Sequence, residues 1–126
     1  MPQVAAQISE RGPADVFQSP VLDRDQLARM TFGDRTLALE VLQLFNRQAE
    51  LLLDRMRSSE PSGVATLAHT LKGSAVGIGA PRVARAAADA EAAAQAAPGK
   101  RSLAIAQLAQ AVEEARAEIT ALIDAR

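Results

Sequence analysis

The chain has 126 residues, a formal net charge of −1 at pH 7 and a sequence pI near 5.8, which leaves no electrostatic footprint for nucleic acid. Zero cysteines exclude a disulfide framework and thiolate metal sites, and with one histidine a zinc site would need an almost wholly carboxylate shell. Only three residues are Phe and none is Trp or Tyr, so alanine and leucine carry the apolar surface and favour helix over sheet.

This is one domain's worth of chain, long enough for a single core. Residues 1–20 contain Pro2, Gly12, Pro13 and Pro20 and show no sustained apolar period. They read as a flexible leader, with Val16 and Phe17 available to dock late onto the remainder. The leader lacks the basic region and apolar run of a signal peptide. No segment approaches the ~20 apolar residues that a membrane helix requires. The expectation is a soluble, cytoplasmic protein.

From residue 21 to residue 126 the pattern is helical. Asp23 is placed to cap a short helix running to about Met30, with Leu22 and Leu27 apolar. Thr31-Phe32-Gly33 breaks it, and Asp34 is a natural N-cap for a second helix. From Arg35 to about Arg57, Leu37, Val41, Leu44, Gln48, Leu51, Leu52 and Met56 recur at helical spacing. Leu39, Leu42 and Leu53 widen that surface, which predicts a helix buried on two sides. The alternative is that Leu39 or Leu42 belongs to a partner-docking surface.

After a turn at residues 58–63, with Pro61 suited to a first helical turn, the next apolar stripe begins. Val64, Leu67, Ala68, Leu71, Ala75 and Ile78 fall within roughly 40° of one line. Gly79-Ala80-Pro81 ends this helix and starts another. There Val83, Ala86, Ala87, Ala90 and Ala94 form a narrow stripe of small side chains, which permits close packing on the preceding helix. Pro98-Gly99 breaks the chain again. A last helix, about Lys100 to Ala125, repeats Leu103 (a less regular start), Ile105, Leu108, Val112, Ala115, Ile119 and Leu122, with Glu113, Glu114, Arg116 and Glu118 on its wet face. Four long amphipathic helices with short connections predict an all-α, antiparallel up-down-up-down four-helix bundle, capped by a short extra N-terminal helix.

The chemistry concentrates in residues 69–80, which hold the one histidine. On the helical wheel His69 lies roughly 140° from the buried stripe, and Gly73 nearly opposite it. Lys72 sits within i,i+3 reach of the histidine. Glycine inside a helix costs ~1 kcal/mol relative to alanine, which this chain uses freely elsewhere. Gly73 removes a Cβ that would shield the imidazole, and Gly77 either continues that row or marks the helix beginning to end. A lone surface histidine is ordinarily bland. Its spacing with Lys72 and Gly73, away from the core, points instead to a reactive ring presented to a partner.

His69-Thr70-Leu71-Lys72-Gly73-Ser74-Ala75, followed by Gly79-Ala80, resembles the signature of histidine-containing phosphotransfer (HPt) domains of the stand-alone bacterial type. That signature reads His-x-Leu-Lys-Gly-Ser-Ser and then Gly-Ala. Ala75 departs from the second serine, which is not the phosphoryl acceptor in the family. Asp23, Leu27, Gly33, Asp34, Leu37 and Phe45 are similar to the family pattern upstream, so the resemblance covers about Leu22 to Arg126.

The resemblance implies relay of a phosphoryl group, in a multistep two-component pathway, between phospho-aspartates of receiver domains and His69. It makes His69 Nε2 the nucleophile and Lys72 the supplier of positive charge beside the phosphoryl. Gly73, Ser74, Val76 and Gly77 become the receiver access surface, Ser74 either meeting a phosphate oxygen or bonding locally. An ungapped alignment from His69 puts Glu91 where the family often carries the partner of the other ring nitrogen. A carboxylate accepting from Nδ1–H would leave Nε2 as the free nucleophile, and an ordinary solvated glutamate is the alternative.

No nucleotide loop is present, so the implied protein is a covalent carrier with no kinase machinery, not an enzyme. It needs no cofactor and no metal of its own, Mg²⁺ being expected on the receiver. Its expected partners are response-regulator receiver domains or a hybrid histidine kinase, with no nucleic acid and no membrane, and it is expected to be a monomer. A sensor-kinase phosphoacceptor domain would carry an acidic residue where Thr70 stands. The other reading is a non-catalytic helical bundle that binds receivers without transferring phosphate.

Overall fold

The computed structural model describes residues 19–125. The leader and its proposed contacts through Val16 and Phe17 lie almost wholly outside the described residues. Five helices occur in order: α1 (Arg24–Met30), α2 (Arg35–Arg57), α3 (Pro61–Ile78), α4 (Pro81–Ala93) and α5 (Pro98–Asp124). No strand occurs among the described residues.

Local chemistry explains the boundaries. Asp23 Oδ1 accepts from the Gln26 amide at 3.1 Å and Asp34 Oδ1 from the Leu37 amide at 3.0 Å, so both aspartates satisfy otherwise unpaired first-turn donors. Pro61, Pro81 and Pro98 open α3, α4 and α5, where a missing amide hydrogen costs nothing. Pro98 is thus the first residue of the last helix, two residues ahead of the sequence expectation.

Gly79 ends α3 at φ +78°, with its own amide on the Val76 carbonyl and the Ala80 amide on the Ala75 carbonyl. The same crossed pair closes α1, where the Phe32 and Gly33 amides reach the Arg29 and Ala28 carbonyls. Phe32 there takes φ +56° and is 87% exposed.

Side-chain pairings set the helix directions. Gln48 meets Ser74, His69 meets Glu91, Arg82 meets Glu114, and Glu50 meets Arg116. The first three pairs each straddle, at comparable distances, the short turn that joins their two helices, so consecutive long helices fold back on one another. Contacts join α2 to α3, α3 to α4, α4 to α5 and α5 back to α2, with no contact across either diagonal among the described residues. That is a four-helix bundle. Helix α1 lies across its end, against α2 and α3.

The core contains Leu42, Phe45, Leu52, Met56, Leu71, Ala75, Val83, Leu108, Val112 and Ile119. Ala87 and Ala90 of α4 and its C-cap Ala94 are buried, so the narrow stripe lets α4 pack more extensively on α3 than any other pair of helices packs.

Three readings of the sequence need correction. Of the row Leu37, Val41, Leu44, Gln48, Leu51, Leu52 and Met56, Leu52 and Met56 are buried, but Leu44 and Leu51 are exposed, and Phe45 and Ala49 complete the core face of α2. Leu42, offered as part of a docking surface, is 1% exposed and belongs to the core. Arg116 is also no simple wet-face residue. It is half-buried, reaching Glu50 across the α2–α5 seam at 3.0 Å.

Candidate functional site

His69 is positioned by the stripe that buries the other side of α3. Val64, Ala68, Leu71 and Ala75 are each 1% exposed or less, so the opposite face must carry His69 and Gly73 into solvent. The His69 side chain is 66% exposed. Gly73 and Gly77 continue the ridge, and a Cβ on either would meet nothing within 4 Å. Gly77 lies inside the helix, which runs one residue further to Ile78.

The sequence placed Glu91 beside the ring with an open alternative, and the structure brings the two together. His69 Nδ1 is 3.1 Å from Glu91 Oε2 and 3.3 Å from Oε1. A carboxylate can only accept, so the hydrogen between them sits on Nδ1. In the neutral ring the lone pair then lies on Nε2. The sequence signal for this pairing is symmetry: His69 and Glu91 each lie eleven residues from Ala80, at the bend of an antiparallel hairpin.

Lys72 Nζ lies 3.9 Å from Glu91 Oε1. One carboxylate therefore faces both the imidazole and the ammonium. The three side chains are all partly open to solvent, so this arrangement orients groups more than it stabilises the bundle.

Ser74 is placed differently from one of its expected roles. Its hydroxyl donates to Gln48 Oε1 at 3.0 Å, across the α2–α3 seam. Gln48 thus ties the two helices together. Thr66 and Thr70 donate their hydroxyls to the Ser62 and Thr66 carbonyls, each at 3.1 Å. With those hydrogens used locally, they offer lone pairs and methyl groups to the surface, not donors for a phosphoryl group. Val76 is 55% exposed, two turns beyond His69.

A shallow hollow beside the ring is lined by Ala65, Thr66, His69, Thr70 and Glu91. A larger one lies between α2 and α5, around Met56, Arg101 and Ile105, on helices that do not carry the histidine group. Among the described residues no group of three or more His, Cys, Asp or Glu is placed to hold a metal ion. No helix is long and apolar enough to cross a membrane among those residues.

A helical bundle that presents a single oriented imidazole to solvent defines a class of proteins, and the comparisons give the family. Residues 40–125 match the model of the Hpt domain, and the chain belongs to that family. The fold is similar to the crystal structure of a rice protein described as a candidate histidine-containing phosphotransfer protein, with TM-score 0.76 and 19% identity over 97% of this chain and 89% of that one. No curated protein matches the chain.

Proposed function

We propose that this protein carries a phosphoryl group on His69 Nε2, accepting it from the phospho-aspartate of one receiver domain and passing it to another. The observation that carries the reading is the 3.1 Å contact of Glu91 with Nδ1, which leaves Nε2 as the exposed nucleophile of a family that works through histidine.

In the forward step the Nε2 lone pair forms a P–N bond as the P–O bond to the receiver aspartate breaks, and the aspartate leaves as a carboxylate. The proton on Nδ1 stays in place, so the imidazole becomes cationic as the bond forms. Glu91 faces that developing charge from the other side of the ring. Lys72, 3.9 Å from the same carboxylate, would supply positive charge beside the phosphoryl oxygens. Gly73 keeps the approach to Nε2 clear. Mg²⁺ and the remaining charge neutralisation would come from the receiver.

The test is incubation with a phosphorylated receiver and Mg²⁺, without ATP. The expected product is an acid-labile, base-stable phosphate on the wild type and none on His69→Gln. The variant should fold normally, with stability changed by no more than about 0.5 kcal/mol, because the side chain is outside the core. Absence of label from every receiver tried would favour the non-catalytic bundle.

A further inference from the structure

Packing around the bundle is uneven, and the α2–α5 seam is the least filled of the four. An open groove of about 590 Å³ runs along it, with Met56 of α2 and Ile105, Ala106 and Ala109 of α5 as its apolar floor. A second hollow continues the seam towards Glu50 and Arg116, sharing Arg57, Ala109 and Glu113 with the first. From Arg101 to Arg116 the two together follow about 22 Å of α5. Alanine at 106 and 109 leaves this length unfilled. In the second hollow Arg57 holds Asp54 and Arg116 holds Glu50, each at 3.0 Å, and Glu113 is the carboxylate with no ion pair among the described residues.

Residues 1–18 precede the described part of the chain, which starts at the α4–α5 seam. There Arg82 Nε donates to the Ser19 carbonyl at 2.8 Å, and Arg82 Nη1 lies 3.7 Å from Glu114 of α5. Glu114 and Glu113 are neighbours on α5, so Ser19 is level with the groove and one helix width, about 10–12 Å, to its side. Residues 12–18 can span up to about 23 Å, enough to pass over α5. Ahead of them Val4, Ala5 and Ile8 fall on one side of a helical wheel, and Arg11 continues the line two turns beyond Val4. As a helix, residues 3–11 would measure about 14 Å, within the length of the groove.

We propose that residues 3–11 occupy the α2–α5 groove of their own chain, with Val4 and Ile8 on the floor made by Met56, Ile105 and Ala109, and Arg11 at Glu113. Tethering and charge select this occupant. A segment joined through residues 12–18 competes at the roughly millimolar effective concentration of a short linker, so a shallow apolar floor suffices to hold it. Arg11 brings to Glu113 a counter-charge that the described bundle does not supply. The strap lies on the opposite side of the bundle from the α3–α4 seam, where His69 and Glu91 meet. It therefore closes the least filled seam without covering the ring.

The test uses the full chain, which has no cysteine of its own. Ala6→Cys, on the side of the wheel away from Val4 and Ile8, accepts a single nitroxide label. In nitrogen-15 spectra, amides of residues 54–59 and 101–113 should lose far more intensity than those of residues 66–78 and 84–92. Adding Val4→Asp and Ile8→Asp should abolish that loss. Glu113→Arg, at an exposed position the bundle tolerates, should reduce it, and Arg11→Glu in the same chain should restore it. Intensity losses spread evenly over the bundle, centred on α3 and α4, or indifferent to the changes at Val4 and Ile8 would overturn the proposal. So would the same pattern in a mixture of spin-labelled chain with unlabelled, nitrogen-15-enriched chain, because one copy's leader would then lie in another's groove.

Discussion

Gly79 and Gly73 lie six residues apart on the same helix and are there for opposite reasons. Gly79 is demanded by the fold. Its φ of +78° favours glycine, and a Cβ would stand 2.6 Å from the Asp23 carbonyl, where α1 is bolted onto the end of α3 by the Asp23 amide on the Gly79 carbonyl. Gly73 has ordinary helical geometry and empty space above it. The bundle would be more stable with alanine there. A residue that weakens the structure and touches nothing within it makes sense only through something that arrives from outside. On the proposed function, the core face of α3 and its end are shaped by stability, and its outer face by access to His69.

Substitutions can break that contrast, and the largest effect is expected at Gly79. Gly79→Ala combines left-handed strain of about 1–2 kcal/mol with a backbone overlap that no side-chain rotation relieves, for a loss of roughly 2–4 kcal/mol. Urea denaturation measures it. A loss below about 0.5 kcal/mol would mean that the α1–α3 junction yields easily, and the structural half of the contrast would fail.

Glu91→Ala comes next and acts on the chemistry. Removing a hydrogen bond to a charged acceptor is worth about 1.5–3 kcal/mol when buried, and the openness of this site calls for the lower end. Single-turnover transfer should slow roughly ten-fold, with stability nearly unchanged. Nitrogen NMR of the imidazole adds a readout that a merely structural role would not move. The tautomer protonated on Nδ1 should dominate in the wild type and lose ground to the Nε2 form in the variant. An unaltered tautomer ratio would show that Glu91 does not orient the ring.

Gly73→Ala should move stability and activity in opposite directions. Helix propensity predicts a gain of about 1 kcal/mol, while the new methyl group narrows the approach to Nε2 and slows receiver-dependent transfer. Thermal melts and transfer rates on the same preparation check both signs. Transfer at the wild-type rate would leave this glycine without a reason.

The same contrast explains what could be read from the sequence. The buried stripe of α3 was legible because its apolar residues fall on one line and its other face is polar or glycine. Asp23 and Asp34 were legible as caps because an aspartate ahead of an apolar period has one common use. Helix α2 was not, because leucines stand at almost every angle around it. Periodicity cannot choose a face when most faces qualify, and Phe45 with Ala49 settles the matter only through packing against the other helices. His69 and Lys72 could be found by spacing within one helix. Glu91 required the hairpin symmetry about Ala80, and the link between Ser74 and Gln48 required the register of two helices.

That link supports the smallest prediction. Ser74 belongs to the signature that surrounds the reactive histidine, yet its hydroxyl points along the α2–α3 seam to Gln48. Ser74→Ala would leave Gln48 Oε1 without this donor, but the site is only part-buried and water can replace it, so the cost is about 0.5–1 kcal/mol. If the hydroxyl serves only as a tie, phosphoramidate labelling should stay at the wild-type rate and Gln48→Ala should cost a similar amount of stability. The double variant should then lose little more than either single change, because both remove the same bond. Slower phosphoramidate labelling in Ser74→Ala, with Gln48→Ala unaffected, would instead assign the serine to the phosphoryl group and move the boundary between structural and reactive residues one position along α3.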